Sequence, residues 1–134
     1  MLKQLSIYAE NKKGALQTMT NALYEAGINI WGSVTNDGAE YGINRMVVSD
    51  PDKAKEVLTE RGYLCRFVDV LAVEIEDKPG ALNTLLTALL DSNVNVDYTY
   101  LYFNRDSSTP VMILHTADPE EVEICLKAKG FKMV

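Results

Sequence analysis

Histidine occurs once in the 134 residues, as His115, and cysteine twice, as Cys65 and Cys125. One imidazole, with no cysteine or serine at a motif spacing, excludes the usual nucleophile–base pairs, so His115 is expected in a core or interface and no enzyme activity is expected. The two cysteines show no C-x-x-C spacing and sit among apolar residues, where buried free thiols are expected. Lys and Arg number 13 against 19 Asp and Glu, a formal net charge of −6. That balance disfavours the phosphate backbone of nucleic acid, where affinity comes largely from basic side chains. No apolar run reaches the ~18 residues of a membrane-spanning helix. Lys3, Gln4 and Glu10 interrupt the apolar core that a secretion signal would need, so a cytoplasmic location is expected. No metal-ligand cluster stands out, and the glycine spacing matches neither a dinucleotide nor a P-loop fingerprint, so no cofactor is expected.

What the chain does have is one phrase written twice, ENKKGAL at 10–16 and EDKPGAL at 76–82. Each copy follows an alternating apolar run (Leu5, Ile7, Ala9; Leu71, Val73, Ile75). Each precedes apolar residues at helical spacing (Leu16, Met19, Leu23, Ala26; Leu82, Leu85, Leu86, Leu89). Both read as a strand, a tight glycine-containing loop and a helix start. Sliding 4–33 by 66 positions onto 70–99 gives ten identities in thirty. Further on the offset becomes 68, which aligns Asp50-Pro51 with Asp118-Pro119 and Gly62-Tyr63 with Gly130-Phe131. The extra residues fall where NDGAE (36–40) faces the longer NRDSST (104–109), so they mark a turn. Asp37-Gly38 is itself a hairpin signal. The domains are therefore expected at 1–68 and 69–134. Units of this size bury little surface alone, so they are expected to pack on each other.

The first repeat is expected to place strands near 3–9, 28–35, 41–48 and 63–68, with helices near 14–26 and 52–61. The second places strands near 70–76, 94–103, 110–116 and 131–134, with helices near 80–91 and 119–129. Asp50 and Asp118, each before a proline, signal helix starts. Gly27, Gly62, Gly130 and Asn93 signal helix ends. The fold class is α+β: two ferredoxin-like βαββαβ repeats packed side by side, each an antiparallel sheet with its helices on one face. The helix-facing core takes Leu5, Ile7, Leu16, Met19, Leu23, Val57, Leu58 and their counterparts. Apolar residues also occupy the other face (Ile43, Val47, Val111, Ile113), which suggests a cover, most simply a second chain.

The loop before each first helix has a chemical reading and a plain one. Free N–H groups at a helix start suit a carboxylate or phosphate, and Gly14 and Gly80 allow close approach. Asn11 and Asp77 lie where a side chain caps the helix or touches a ligand. Any helix, however, needs a start. Asn29 and Asn95 tilt the balance: they open the second strands at equivalent places, where asparagine has poor propensity and offers both donor and acceptor. Packing is the expected role of Tyr98, Tyr100, Tyr102 and Trp31. Arg45, where repeat two has Ile113, is expected to pair with a carboxylate.

The pattern strand–[D/N]-K-x-G-A-L–helix–G-[IV]-N-[IV]–strand resembles the ACT domain, an amino-acid-sensing module, over essentially the whole chain. The closest likeness is to stand-alone tandem ACT proteins. The resemblance implies a small ligand where two units pair, the first loop of one meeting the second strand of its neighbour. The matching residues are Asn11, Lys13, Gly14, Ala15 and Leu16 with Asn29, and Asp77, Pro79, Gly80, Ala81 and Leu82 with Asn95. Serine-sensing members carry a histidine two residues before the loop asparagine, where this chain has Ala9 and Ile75. Asn11 against Asp77 and Lys13 against Pro79 imply unequal sites. The expected function is a non-enzymatic regulatory sensor that binds an amino acid at the interface between its ACT repeats, as a homodimer. The alternative is a regulatory subunit that binds an amino-acid biosynthetic enzyme through its sheet surface. An RNA-binding module, which shares this topology, lacks its basic-aromatic third strand here.

Overall fold

The computed structural model describes residues 1–36, 41–106 and 108–134, with only the backbone at Tyr41. The Asp37-Gly38 hairpin tip lies outside the described residues. The elements run β1 (Leu2–Glu10), α1 (Ala15–Glu25), β2 (Ile30–Asn36), β3 (Tyr41–Val48), α2 (Pro51–Glu60), β4 (Leu64–Glu74), α3 (Ala81–Asp91), β5 (Tyr98–Tyr102), β6 (Val111–His115) and α4 (Pro119–Ala128). Lys3–Val68 forms one compact unit, and Asp69–Val134 with Met1–Leu2 forms the other. The strands expected at 63–68 and 70–76 are one unbroken strand, β4, which leaves one unit and enters the next without a linker.

In the first unit β3 pairs antiparallel with both β1 and β2. Ile7 lies opposite Asn44 and Ala9 opposite Gly42, while Thr35 meets Asn44 from the other side. In the second, β6 pairs with β4 and β5 in the same way, Val73 opposite Met112 and Leu101 opposite Met112. Two expected strands are shorter. Residues 94–97 precede β5, and the segment expected at 131–134 makes a single bridge, Met133 to Val73.

Side-chain alternation decides which strand residues meet the helices. Leu5, Ile7, Met46 and Val48 share a core with Met19, Ala22 and Leu23 of α1 and Ala54 and Leu58 of α2, so both helices lie on one face. Leu71, Val73, Met112 and Leu114 share the second core with Leu85 and Leu89 of α3 and Val122 and Leu126 of α4. Leu16 is a correction: it stands in the first turn of α1 and is 48% exposed. Val57 is partly buried against the core. On the other sheet face Val47, Val111, Ile113, Tyr100 and Tyr102 are buried within the single chain. Their burial therefore does not require a second copy.

The two second helices start alike but are held differently. Asp50 caps α2 by accepting from the Lys53 N–H at 3.2 Å. Asp118, with similar backbone angles, makes no side-chain cap bond at α4. Asp50→Ala is expected to cost about 1 kcal/mol in urea unfolding, and Asp118→Ala less than about 0.5 kcal/mol.

Candidate functional site

Each first helix is entered through a left-handed glycine, Gly14 at φ 84° and Gly80 at φ 87°. A side chain there costs ~1–2 kcal/mol from backbone sterics alone. An added Cβ would meet no atom within 4 Å at either position, so conformation and not crowding selects glycine. The turn is closed from within: Ala15 N–H donates to the Lys12 carbonyl at 3.1 Å, and Ala81 N–H to that of Lys78 at 3.2 Å. Thr18 and Thr84 hydroxyls return to the Gly14 and Gly80 carbonyls, both at 2.9 Å. The N-cap position is the glycine itself in both helices, so it brings no side chain to the first-turn N–H groups. The N-terminus of a helix carries partial positive charge in any case. Both loops also carry the same exposed ion pair, Lys12–Glu10 at 2.9 Å and Lys78–Glu76 at 2.6 Å. The Glu10 hydrogen bond and charge raise the Lys12 ammonium's pKa.

Beneath the first loop lies a cavity of about 160 Å³, lined by Ala9, Asn11, Leu16, Met19, Gly42 and Asn44 among others. One water needs only ~10–15 Å³ of such volume, so the space holds more than one. Small residues make it: Ala9 and Gly42 face each other across the strand pair. Asn44, 2% exposed, forms its inner wall. Its Nδ2 donates to Thr35 Oγ1 at 2.6 Å, and its Oδ1 has no partner. Repeat two fills the corresponding places with Ile75, Pro110 and Met112. There Ile75 N–H meets the Pro110 carbonyl at 3.0 Å, and Ile75 and Met112 belong to the core. Sequence reasoning missed Asn44; its signal was an asparagine in an apolar strand whose repeat-two counterpart is methionine.

The sequence-predicted residues fall into separate places. Lys13, Gly14 and Ala15 line a shallow hollow outside the first loop, and Ala81 lines its counterpart. Asp77, Pro79 and Gly80 are exposed, and Leu82 is at the border of exposure. Asn29 stands beyond the other end of α1, eleven residues or about 16 Å away. Within a unit, then, loop and asparagine are not brought together. Asn29 exchanges bonds with Ser49, its N–H donating to Ser49 Oγ and its carbonyl accepting from Ser49 N–H, both at 2.9 Å. Asn95 Nδ2 donates to Asp97 Oδ1 at 3.1 Å.

The remaining candidates are structural. Arg45 donates to the Asn36 amide oxygen at 2.9 Å. His115 Nδ1 lies 2.8 Å from Asp97 Oδ2, and its ring stacks on Tyr98 at 4.9 Å between centroids. Cys65 is buried, which raises its thiol pKa, while Cys125 is half-buried; both are free. Among the described residues no group of three or more His, Cys, Asp or Glu could hold a metal. No helix among them is long and apolar enough to cross a membrane.

Two βαββαβ units in one chain, each with a glycine-led first helix, define a tandem ferredoxin-like protein. The chain belongs to the ACT domain pair family, whose model matches residues 1–133. It is similar to the protein BT0572 from Bacteroides thetaiotaomicron, at 31% identity and a TM-score of 0.90, covering 99% of this chain and 91% of that one. The ligand-free regulatory subunit of aspartate kinase from Thermus thermophilus shares the fold at 16% identity and a TM-score of 0.69, over 94% and 89% of the two chains. So does that of Thermus flavus, at 19% and 0.62, over 96% and 91%. No curated protein matches the chain.

Replacing Asn44 by repeat two's methionine removes an unpaired buried acceptor and fills the cavity. Asn44→Met is expected to stabilise the unliganded protein by about 1–3 kcal/mol in urea unfolding.

Proposed function

We propose that the protein is a non-enzymatic regulatory sensor that binds an amino acid at its ACT repeats, residues 1–68 and 69–134. The observation that carries this reading is a glycine-led helix start beside a cavity lined by Asn11, Leu16 and the buried Asn44, whose Oδ1 is unpaired. A free amino acid presents a carboxylate for the α1 N–H groups and a side chain for the space below. Ala15, Leu16 and Asn11 would frame it, with Lys13 and Gly14 at its outer edge. Because α1 separates them, the asparagine that completes the site, Asn29 or Asn95, comes from a neighbouring repeat. Asp77, Pro79, Gly80, Ala81 and Leu82 form the weaker counterpart, since Ile75, Pro110 and Met112 close its cavity and Asp77 repels a carboxylate.

A second use of the same molecule has support in one surface. Leu82, Leu86 and Leu90 recur every fourth residue along α3 and are exposed, Leu90 at 75%. Such a stripe fits a second copy in a homodimer, or an enzyme of amino-acid metabolism regulated as the aspartate kinase relatives regulate theirs. A ligand would bias either assembly through its differential affinity for one arrangement.

A thermal-shift screen of the standard amino acids tests the reading. At ten times Kd a true ligand raises Tm by about 5 °C. Gly14→Ala and Asn44→Met should each reduce that rise, read against their own unliganded Tm. If no amino acid moves the wild type, the sensor reading fails and the enzyme-subunit reading gains.

A further inference from the structure

The two asparagines that open the second strands are held in different ways. Asn29 is tied to Ser49 through its backbone, and its side chain makes no hydrogen bond among the described residues. Asn95 is tied through its side chain, whose Nδ2 donates to Asp97 Oδ1 at 3.1 Å. Asp97 is in turn fastened twice to His115. Its N–H donates to the His115 carbonyl at 2.9 Å, and its Oδ2 lies 2.8 Å from His115 Nδ1. The imidazole is itself held flat against Tyr98, its cross-strand partner, at an interplanar angle of 5°.

The carboxylate at the centre of this chain decides how both neighbours stand. An ionised carboxylate only accepts, so each group that faces it must donate. Asn95 therefore turns its NH2 to Asp97 and its carbonyl oxygen away, and His115 carries a proton on Nδ1. Asn95 is exposed, and its Oδ1 meets no donor among the described residues. An amide whose N–H groups are bound to an anion is a stronger acceptor at its oxygen, above all for a cation. Repeat one lacks the device. Trp31, Gly32 and Val47 stand where repeat two has Asp97, Tyr98 and His115, and Gly32 lies opposite Val47 as Tyr98 lies opposite His115.

We infer that Asn95, rather than Asn29, is the asparagine that accepts from the ammonium of the bound amino acid, with Asp97 and His115 as its positioning residues. This rests on the amino-acid site proposed above and specifies one end of it: a helix start takes the carboxylate, and Asn95 Oδ1 takes the ammonium. Asp97 and His115 act through Asn95 and do not touch the ligand. Asp97 is 44% exposed, so water screens its charge and its larger contribution is orientation.

The probes are the standard amino acids, titrated singly into the isotope-labelled full chain and followed by amide NMR. In the unliganded wild type at neutral pH, the His115 ring nitrogen shifts should report a protonated Nδ1. Asp97→Asn keeps the shape of the centre and changes its chemistry. The new amide accepts from His115 Nδ1, so it turns its own NH2 to Asn95, which must then present a donor outward. Affinity for the amino acid that binds the wild type should fall about tenfold in Asp97→Asn and in Asn95→Ala, and less than about twofold in Asn29→Ala. Adding His115→Phe to Asp97→Asn keeps a stacked ring, frees the new amide to rotate and should restore part of the affinity, whereas a purely structural role for the pair predicts further loss. If no amino acid binds the wild type, the sensor reading fails and this inference falls with it. If one binds, the sensor reading stands. The inference alone is then overturned by an unprotonated Nδ1, by wild-type affinity in Asp97→Asn, by further loss in the double variant, or by Asn29→Ala costing as much as Asn95→Ala.

Discussion

A strand that must turn directly into a helix over the same sheet has few backbone solutions, and both repeats use one. A glycine at φ near 85° reverses the chain, and the helix begins on the next residue, with no side chain at the N-cap position itself. Elsewhere this protein starts a helix differently: Asp50 supplies a cap and Pro51 a preset φ. The absence of a side chain at the N-cap position of α1 and α3 is therefore a local property of the glycine turn. The helix start is a positive end in a chain whose net charge is −6, where few other surfaces attract an anion.

From this shared backbone the two units diverge in complementary ways. Unit one is open beneath the N-terminus of its first helix, where Ala9, Gly42 and Asn44 leave space, and closed at the helix's C-terminus by Lys53. Unit two is closed at the N-terminus by Ile75, Pro110 and Met112 and open at the C-terminus around Thr116 and Glu121. A few side chains, none of which alters the strand pairing of β3 or β6, change which of these particular spaces is filled. The open N-terminus of unit one suits an anionic group.

Much of the fold was legible because it rests on local rules that repeat. β3 of unit one was expected at 41–48 and occupies Tyr41–Val48. The helix-ending positions all have positive φ, including Asn93 at 57°, the one non-glycine among them. What periodicity could not give was reach. Leu16 is in phase with the buried stripe of α1 but borders the cavity beside Ala9, Gly42 and Asn44 and is 48% exposed. The last segment has strand-like residues, yet only Met133 finds a bridging partner. Asp50 and Asp118 share sequence context and similar backbone angles, and only the distance to one N–H separates a cap from an uncommitted carboxylate. The site residues were legible as a phrase, while Asn44 and Thr116, which line the cavities, were not. Asn44 lies in β3 and Thr116 just past the end of β6, and burial without a partner is a three-dimensional fact.

Those two residues bear on whether the cavities are incidental. A buried polar atom without a partner costs roughly 1–3 kcal/mol, a large share of a small domain's stability. In each case the sister repeat demonstrates the cheaper solution on the same backbone: Met112 where unit one has Asn44, and Val48 where unit two has Thr116. Sterics therefore do not force either polar residue, and strand pairing does not force Asn44, since Met112 sits in the equivalent ladder. Packing alone would favour methionine and valine at both positions. The unpaired oxygens are themselves closed to solvent, so a side-chain rotation or local shift must accompany any contact that offsets their cost.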